Sequence, residues 1–126
     1  MTAPKPVGAY TPIVRAGDWL VVSGQVGIDA DGKLVPGGTQ GELRQAIRNL
    51  EAQLATQGAR LDQVVKTTVF LRHMSDYPIM NQTYIEGFGD HRPARSAVGV
   101  AELPLGALVE IEAWAWVGPD GAEGAS

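Results

Sequence analysis

An α+β fold, with two helices laid on one face of a mixed β-sheet, is expected for this chain on three observations. Apolar residues alternate along several short runs, two longer segments repeat them at three- and four-residue spacing, and the segments succeed one another in the order ββαβαββ. The 126 residues suit a single domain with an ordered core of about 7–117 and loose ends. At this length folding buries roughly two thirds of the surface an unfolded chain exposes.

The first two strands form a hairpin. Ile13-Val14-Arg15 leads through the turn Ala16-Gly17-Asp18 into WLVVSGQVG. Pro12 removes a ladder donor, so the first strand belongs at an edge or a bulge. Gly24 and Gly27 mark a bulge or a close backbone approach. Asp29-Ala30-Asp31-Gly32 is turn chemistry before a short Lys33-Leu34-Val35 extension.

Thr39-Gln40-Gly41-Glu42 has the spacing of a capping box, and Leu43, Ala46, Ile47, Leu50 and Leu54 continue as a helical stripe. A helix is expected over 39–57, closed by Gly58 in a left-handed cap. VVKTTVFLR, 64–72, is β-branched and belongs near the sheet centre. A second helix enters at Ser75-Asp76-Tyr77-Pro78, carries the core stripe Tyr77, Met80, Tyr84 and Phe88, and ends at Gly89. His91-Arg92-Pro93 connects to a strand over 95–100, and Leu103-Pro104-Leu105-Gly106 turns into the last, 108–117.

Along 108–117, Val109, Ile111, Ala113, Ala115 and Val117 share one face, while Glu110, Glu112, Trp114 and Trp116 share the other. With the first set under the helices, two tryptophans stand on an open face, a patch suited to self-association.

Composition narrows the chemistry. The net charge of −4 leaves no basic footprint for a nucleic-acid backbone. The absence of cysteine removes disulfides, thiolate nucleophiles and zinc–thiolate sites. With no signal peptide and no run of about 18 apolar residues, a soluble cytoplasmic protein without membrane contact is expected. Asn81-Gln82-Thr83 then reads as a chance sequon. His73 and His91 fall in connections without the spacing of a metal site and read as solvated, so no metal is expected. Ser96 lies in no nucleophile elbow, and no phosphate-cradling glycine loop occurs.

Arg95 and Glu110 remain as candidates for chemistry. A guanidinium opening a small apolar strand can grip a carboxylate in plane, and a carboxylate beside it can orient a water. An ion pair of Arg95 with Glu110 or Glu112 is the structural alternative, and residue spacing alone leaves both open.

The segments GAYTPIV, VVSGQVG, VVKTTVFLRHMSDY and MNQTYIEGFGDHRPARSAVGVAELPLGALVEIEAWAWV, in that order, closely resemble the RidA (YjgF) family of enamine and imine deaminases. PARSAV followed by LVEIEA is the specific part. The resemblance implies a chorismate-mutase-like fold and a homotrimer with active sites between subunits. It also implies hydrolysis of 2-aminoacrylate and other 2-imino acids to 2-keto acids and ammonia, without a cofactor. Carried over by residue, Arg95 would clamp the substrate carboxylate, assisted by the Gly24 amide, and Glu110 would hold the attacking water. Tyr10 and Asn81 would line or support the pocket, the Ala97 carbonyl would face the substrate amino group, and Ser23 would support the Gly24 turn. Glu102 and Leu105 stand where members are often basic, and Ala97 where cysteine is frequent. The alternatives are a deaminase of a pathway-specific aminoacrylate-type intermediate and a regulatory or chaperone-like binding protein without turnover. A ribonuclease fits the acidic balance poorly.

Overall fold

A computed structural model of the chain describes residues 2–119. Five strands, β1 (Ile13–Ala16), β2 (Trp19–Val26), β3 (Val64–Leu71), β4 (Ala94–Gly99) and β5 (Val109–Trp116), form one sheet in the order β1-β2-β5-β3-β4. Only β3 and β4 pair in parallel. Parallel neighbours need a crossover, and α2 (Tyr77–Phe88) supplies it. The other helix, α1 (Gly38–Ala55), connects β2 to β3 and packs on β2, β5 and α2.

The core is the layer between helices and sheet. Leu43, Ile47, Leu50 and Leu54 of α1 and Met80, Tyr84 and Phe88 of α2 meet Leu20, Val22, Val69, Leu71 and Ile111. Ala113 and Ala115 are fully buried beneath them, small side chains that let a helix approach the central strand. Truncating a buried leucine such as Leu50 to alanine would cost about 2–5 kcal/mol, because the lost methyl groups leave a cavity as well as lost burial. No helix among the described residues is long and apolar enough to cross a membrane.

The stripe that predicts α1 is correct, but the capping box at its start is not. The N-cap is Gly37, with φ +107° and no side-chain cap. Thr39 instead donates its hydroxyl to Asp76 Oδ2 at 2.7 Å, and Glu42 Oε1 accepts from the Leu108 amide at 2.8 Å. Both side chains serve tertiary links, from α1 to the start of α2 and to the β4–β5 connection. The helix ends at Ala55, and Gly58, at φ +72°, turns the chain so that the Ala59 amide reaches back to the Leu54 carbonyl.

Two further details bear on the site. Pro12 precedes β1, which is an edge strand, and its carbonyl accepts from the Ser23 amide at 2.9 Å. The β2–β5 register shifts between Val22 and Gln25, which is the bulge that Gly24 signals. His91 departs from the solvated reading: its ring is half-buried, with Nε2 2.7 Å from the Val64 carbonyl.

No helix among the described residues covers the second face of the sheet. Trp114 and Trp116 are 46% and 47% exposed, and Val14 and Val98 add further apolar surface. Trp19 meets Trp114 edge to face, with ring centres 6.3 Å apart. An apolar patch of this kind is unusual on an isolated monomer.

Candidate active site

Arg95 sits on β4, an edge strand, opposite Thr67 of β3. Thr67 pairs in turn with Ala113 of β5, and both are fully buried under the helices. Arg95 therefore projects on the helix side, where α2 receives it. Its Nη2 donates to Tyr77 Oη at 2.7 Å, and its guanidinium carbon lies 4.7 Å from the Tyr84 ring centre and 5.6 Å from that of Tyr77. Both distances lie within cation–π range. The buried Tyr84 is anchored by a 2.7 Å hydrogen bond between its hydroxyl and that of Thr67. Burial pushes the Tyr84 phenol up, opposed by the Thr67 hydrogen bond and the charges of Arg95 and Arg92.

Glu110 lies on the opposite face. It pairs with Phe70 of β3 and Val26 of β2, and its neighbours Val109 and Ile111 point into the core. It is half-buried, and burial raises its carboxyl above the ordinary glutamate range, helped by the charge of Glu112 two residues on. A carboxylate so raised is a better proton acceptor near neutral pH. The bulge carries Gly24 against it: a Cβ on Gly24 would fall 2.2 Å from Glu110 Oε2.

The predicted residues thus separate into two groups. Beside Glu110 stands Gly24, and Ser23 and Tyr10 join this group through the bulge. Ser23 Oγ donates to the Thr11 carbonyl at 2.7 Å, tying the bulge to the N-terminal segment, and Tyr10 and Gly24 line one recess with Gln25 and Pro12. Around Arg95 stand Asn81, which lines a cleft with Tyr84, Arg92 and Arg95, and Ala97, two residues along β4. Within one chain the groups do not meet. Within one chain the faces they occupy rule out an Arg95 pair with Glu110 or Glu112, and Arg95 forms no ion pair among the described residues.

The residues that residue-pattern reasoning missed are Tyr77 and Tyr84, placed there in a plain core stripe. A signal was available: a hydroxyl on a buried aromatic stripe requires a polar partner, which phenylalanine would not. Among the described residues no group of three or more His, Asp or Glu could hold a metal ion.

An α+β sheet with an arginine at its edge and a glutamate behind a glycine bulge matches a known class. The family model described as Endoribonuclease L-PSP covers residues 1–117, and the chain belongs to this family, that of RidA (YjgF) proteins. A 2-iminobutanoate/2-iminopropanoate deaminase of Mus musculus is 45% identical over 118 residues, covering 93% of this chain and 87% of the relative. A RutC family protein of Pyrococcus horikoshii is 44% identical over 115 residues, covering 90% and 91%. The crystal structure of RidA from an Antarctic Psychrobacter superposes with a TM-score of 0.88 at 35% identity, covering 92% of this chain and 94% of that one.

Proposed function

We propose that this protein is a hydrolytic deaminase of 2-imino acids and their enamine tautomers, working as a cyclic homotrimer whose active sites lie between subunits. The observation that carries the reading is the placement of Arg95 and Glu110 on opposite faces of one sheet, two strands apart. A single site using both needs Arg95 from one copy and Glu110 from the next. The uncovered face bearing Trp114 and Trp116 offers the surface for that contact. A contact between different patches of identical chains closes into a ring when its rotation allows.

In this site Arg95 grips the substrate carboxylate in plane, and the Gly24 amide assists it. Glu110 takes a proton from a water as its oxygen adds to the carbon of the protonated imine. Glu110 returns that proton to the nitrogen of the carbinolamine, the C–N bond breaks, and the hydroxyl proton passes to the departing ammonia. One protonated imino acid and one water yield one 2-keto acid and one ammonium ion. Orientation and charge placement supply the acceleration. Tyr10, Asn81 and the Ala97 carbonyl form the remaining walls.

Deaminase relatives at 41–45% identity over most of the chain support this chemistry. The ribonuclease activity in the family description sits poorly with a net charge of −4.

The test generates 2-iminobutanoate or 2-iminopropanoate in situ with an amino-acid oxidase and traps it with semicarbazide. The purified protein is expected to suppress the adduct. Arg95→Ala is expected to lower kcat/KM by about two orders of magnitude, the scale of losing charge-assisted hydrogen bonds to a carboxylate. Undiminished adduct with every imino acid tried would move the assignment to a binding role.

A further inference from the structure

Arg95 has the chemistry of a carboxylate anchor, yet nothing on its own strand fixes a side chain with that much rotational freedom. β4 is an edge strand, and no carboxylate pairs with the guanidinium among the described residues. Two contacts from α2 do the fixing. Tyr84 supplies a ring face 4.7 Å from the guanidinium carbon, which constrains the plane but not rotation within it. Tyr77 Oη, accepting from Nη2 at 2.7 Å, constrains that rotation.

Tyr77 is itself held. It is the first residue of α2, preceded by Asp76, whose carboxylate accepts from the buried Thr39 hydroxyl of α1, and followed by Pro78, whose ring fixes the backbone of the first turn. The phenol is therefore referenced to both helices. Burial does not explain its place: Tyr77 is 37% exposed where its stripe partner Tyr84 is 3% exposed. A guanidinium has five N–H donors, so one spent on Tyr77 leaves a paired edge for a ligand carboxylate.

We propose that Tyr77 is a positioning residue, its hydroxyl holding Arg95 in the orientation that meets the substrate carboxylate; the proposal rests on the imine-hydrolysis reading. Tyr77 acts through Arg95, and its effect belongs to carboxylate recognition rather than to the bond-breaking step.

Tyr77→Phe removes only the hydroxyl and keeps the ring. The expected result is a KM for 2-iminobutanoate raised about five- to tenfold with kcat within about twofold, the scale of one charge-assisted hydrogen bond acting indirectly. The Kd for the product 2-ketobutanoate, measured by titration calorimetry, should rise by the same factor with the thermal midpoint unchanged. On an Arg95→Met background, which leaves no donor for the Tyr77 hydroxyl, Tyr77→Phe should change neither constant by more than about twofold, since the coupled partner is gone. Unchanged KM and Kd in Tyr77→Phe, or the same increase on the Arg95→Met background, would overturn the proposal. Wild-type protein that binds 2-ketobutanoate but hydrolyses no imine would remove the deaminase reading alone, and the Kd arm would still decide the role of Tyr77. Protein that neither binds nor hydrolyses would overturn both.

Discussion

Gly24 and Glu110 occupy one volume that only glycine leaves free: a Cβ at position 24 would sit 2.2 Å from Glu110 Oε2 and 2.7 Å from its Cδ. The clash is with a side chain that can swing away, not with backbone. Gly24→Ala is therefore expected to fold with little loss of stability while displacing the carboxylate. Imine hydrolysis should fall at least about tenfold, the order expected when a catalytic group is moved by an ångström or so. A thermal midpoint near wild type alongside the lost rate is the signature, read by calorimetry and the semicarbazide assay. Undiminished hydrolysis would separate Glu110 from the chemistry.

Gly27, three residues on, gives the contrasting case. A Cβ there would lie 2.3 Å from the Glu42 carbonyl oxygen and 2.6 Å from its Cα, so the obstacle is the backbone of α1. The helix and sheet cannot separate without opening the core. Gly27→Ala is expected to cost about 3 kcal/mol, the upper end for overpacking, and to lower the thermal midpoint by on the order of 10 °C. A midpoint within a degree or two of wild type would show that α1 moves more freely than its packing implies.

These glycines also show how far the residue pattern could be read. Both were legible as punctuation in a strand, and the stripes, the succession of elements along the chain and the open tryptophan face follow from periodicities of 2 and 3.6. The partners of Thr39 and Glu42 were not legible. A capping box is a local pattern, and these side chains are claimed by Asp76 and the Leu108 amide, brought near only by the tertiary fold. The relation of Arg95 to Glu110 was hidden for a related reason. Residue spacing gives the face of each strand, but deciding that Arg95 opposes Glu110 requires the β5-β3-β4 order, which no local pattern contains.

Glu42 sets a pH dependence of stability. Burial raises its carboxyl above the ordinary range, and the hydrogen bond from the Leu108 amide only partly offsets this. A folded-state pKa above the unfolded one means that the folded state binds the proton more tightly. The contribution of Glu42 is then most favourable below the unfolded pKa, declines as pH rises through the raised folded value, and is flat above it. Glu42→Gln keeps an acceptor for Leu108 and carries no titration. Its stability relative to wild type is expected to improve from pH 4 to pH 7, as read from denaturant midpoints. A relative stability that worsens across that range would mean that the ionised carboxylate is favoured where it stands.

The sharpest test of the shared site mixes two variants that are each nearly inactive. Arg95→Ala and Glu110→Gln each remove one half of the pair, and the halves lie on opposite faces of a single sheet. If a site takes Arg95 from one subunit and Glu110 from its neighbour, a mixed ring contains sites in which both contributing subunits are wild type at the position that matters. For equal mixing with random assembly, about one site in four is restored. Denaturing and refolding the two variants together should therefore recover roughly a quarter of wild-type hydrolysis, while each refolded alone stays at about a hundredth of it or below. Were the two groups to act from one chain, every site in the mixture would lack one or the other, and no activity would return. Trp114→Glu supplies the matching control, because a charge on the exposed apolar face should prevent ring closure, detected by sedimentation. It should abolish hydrolysis with both Arg95 and Glu110 intact.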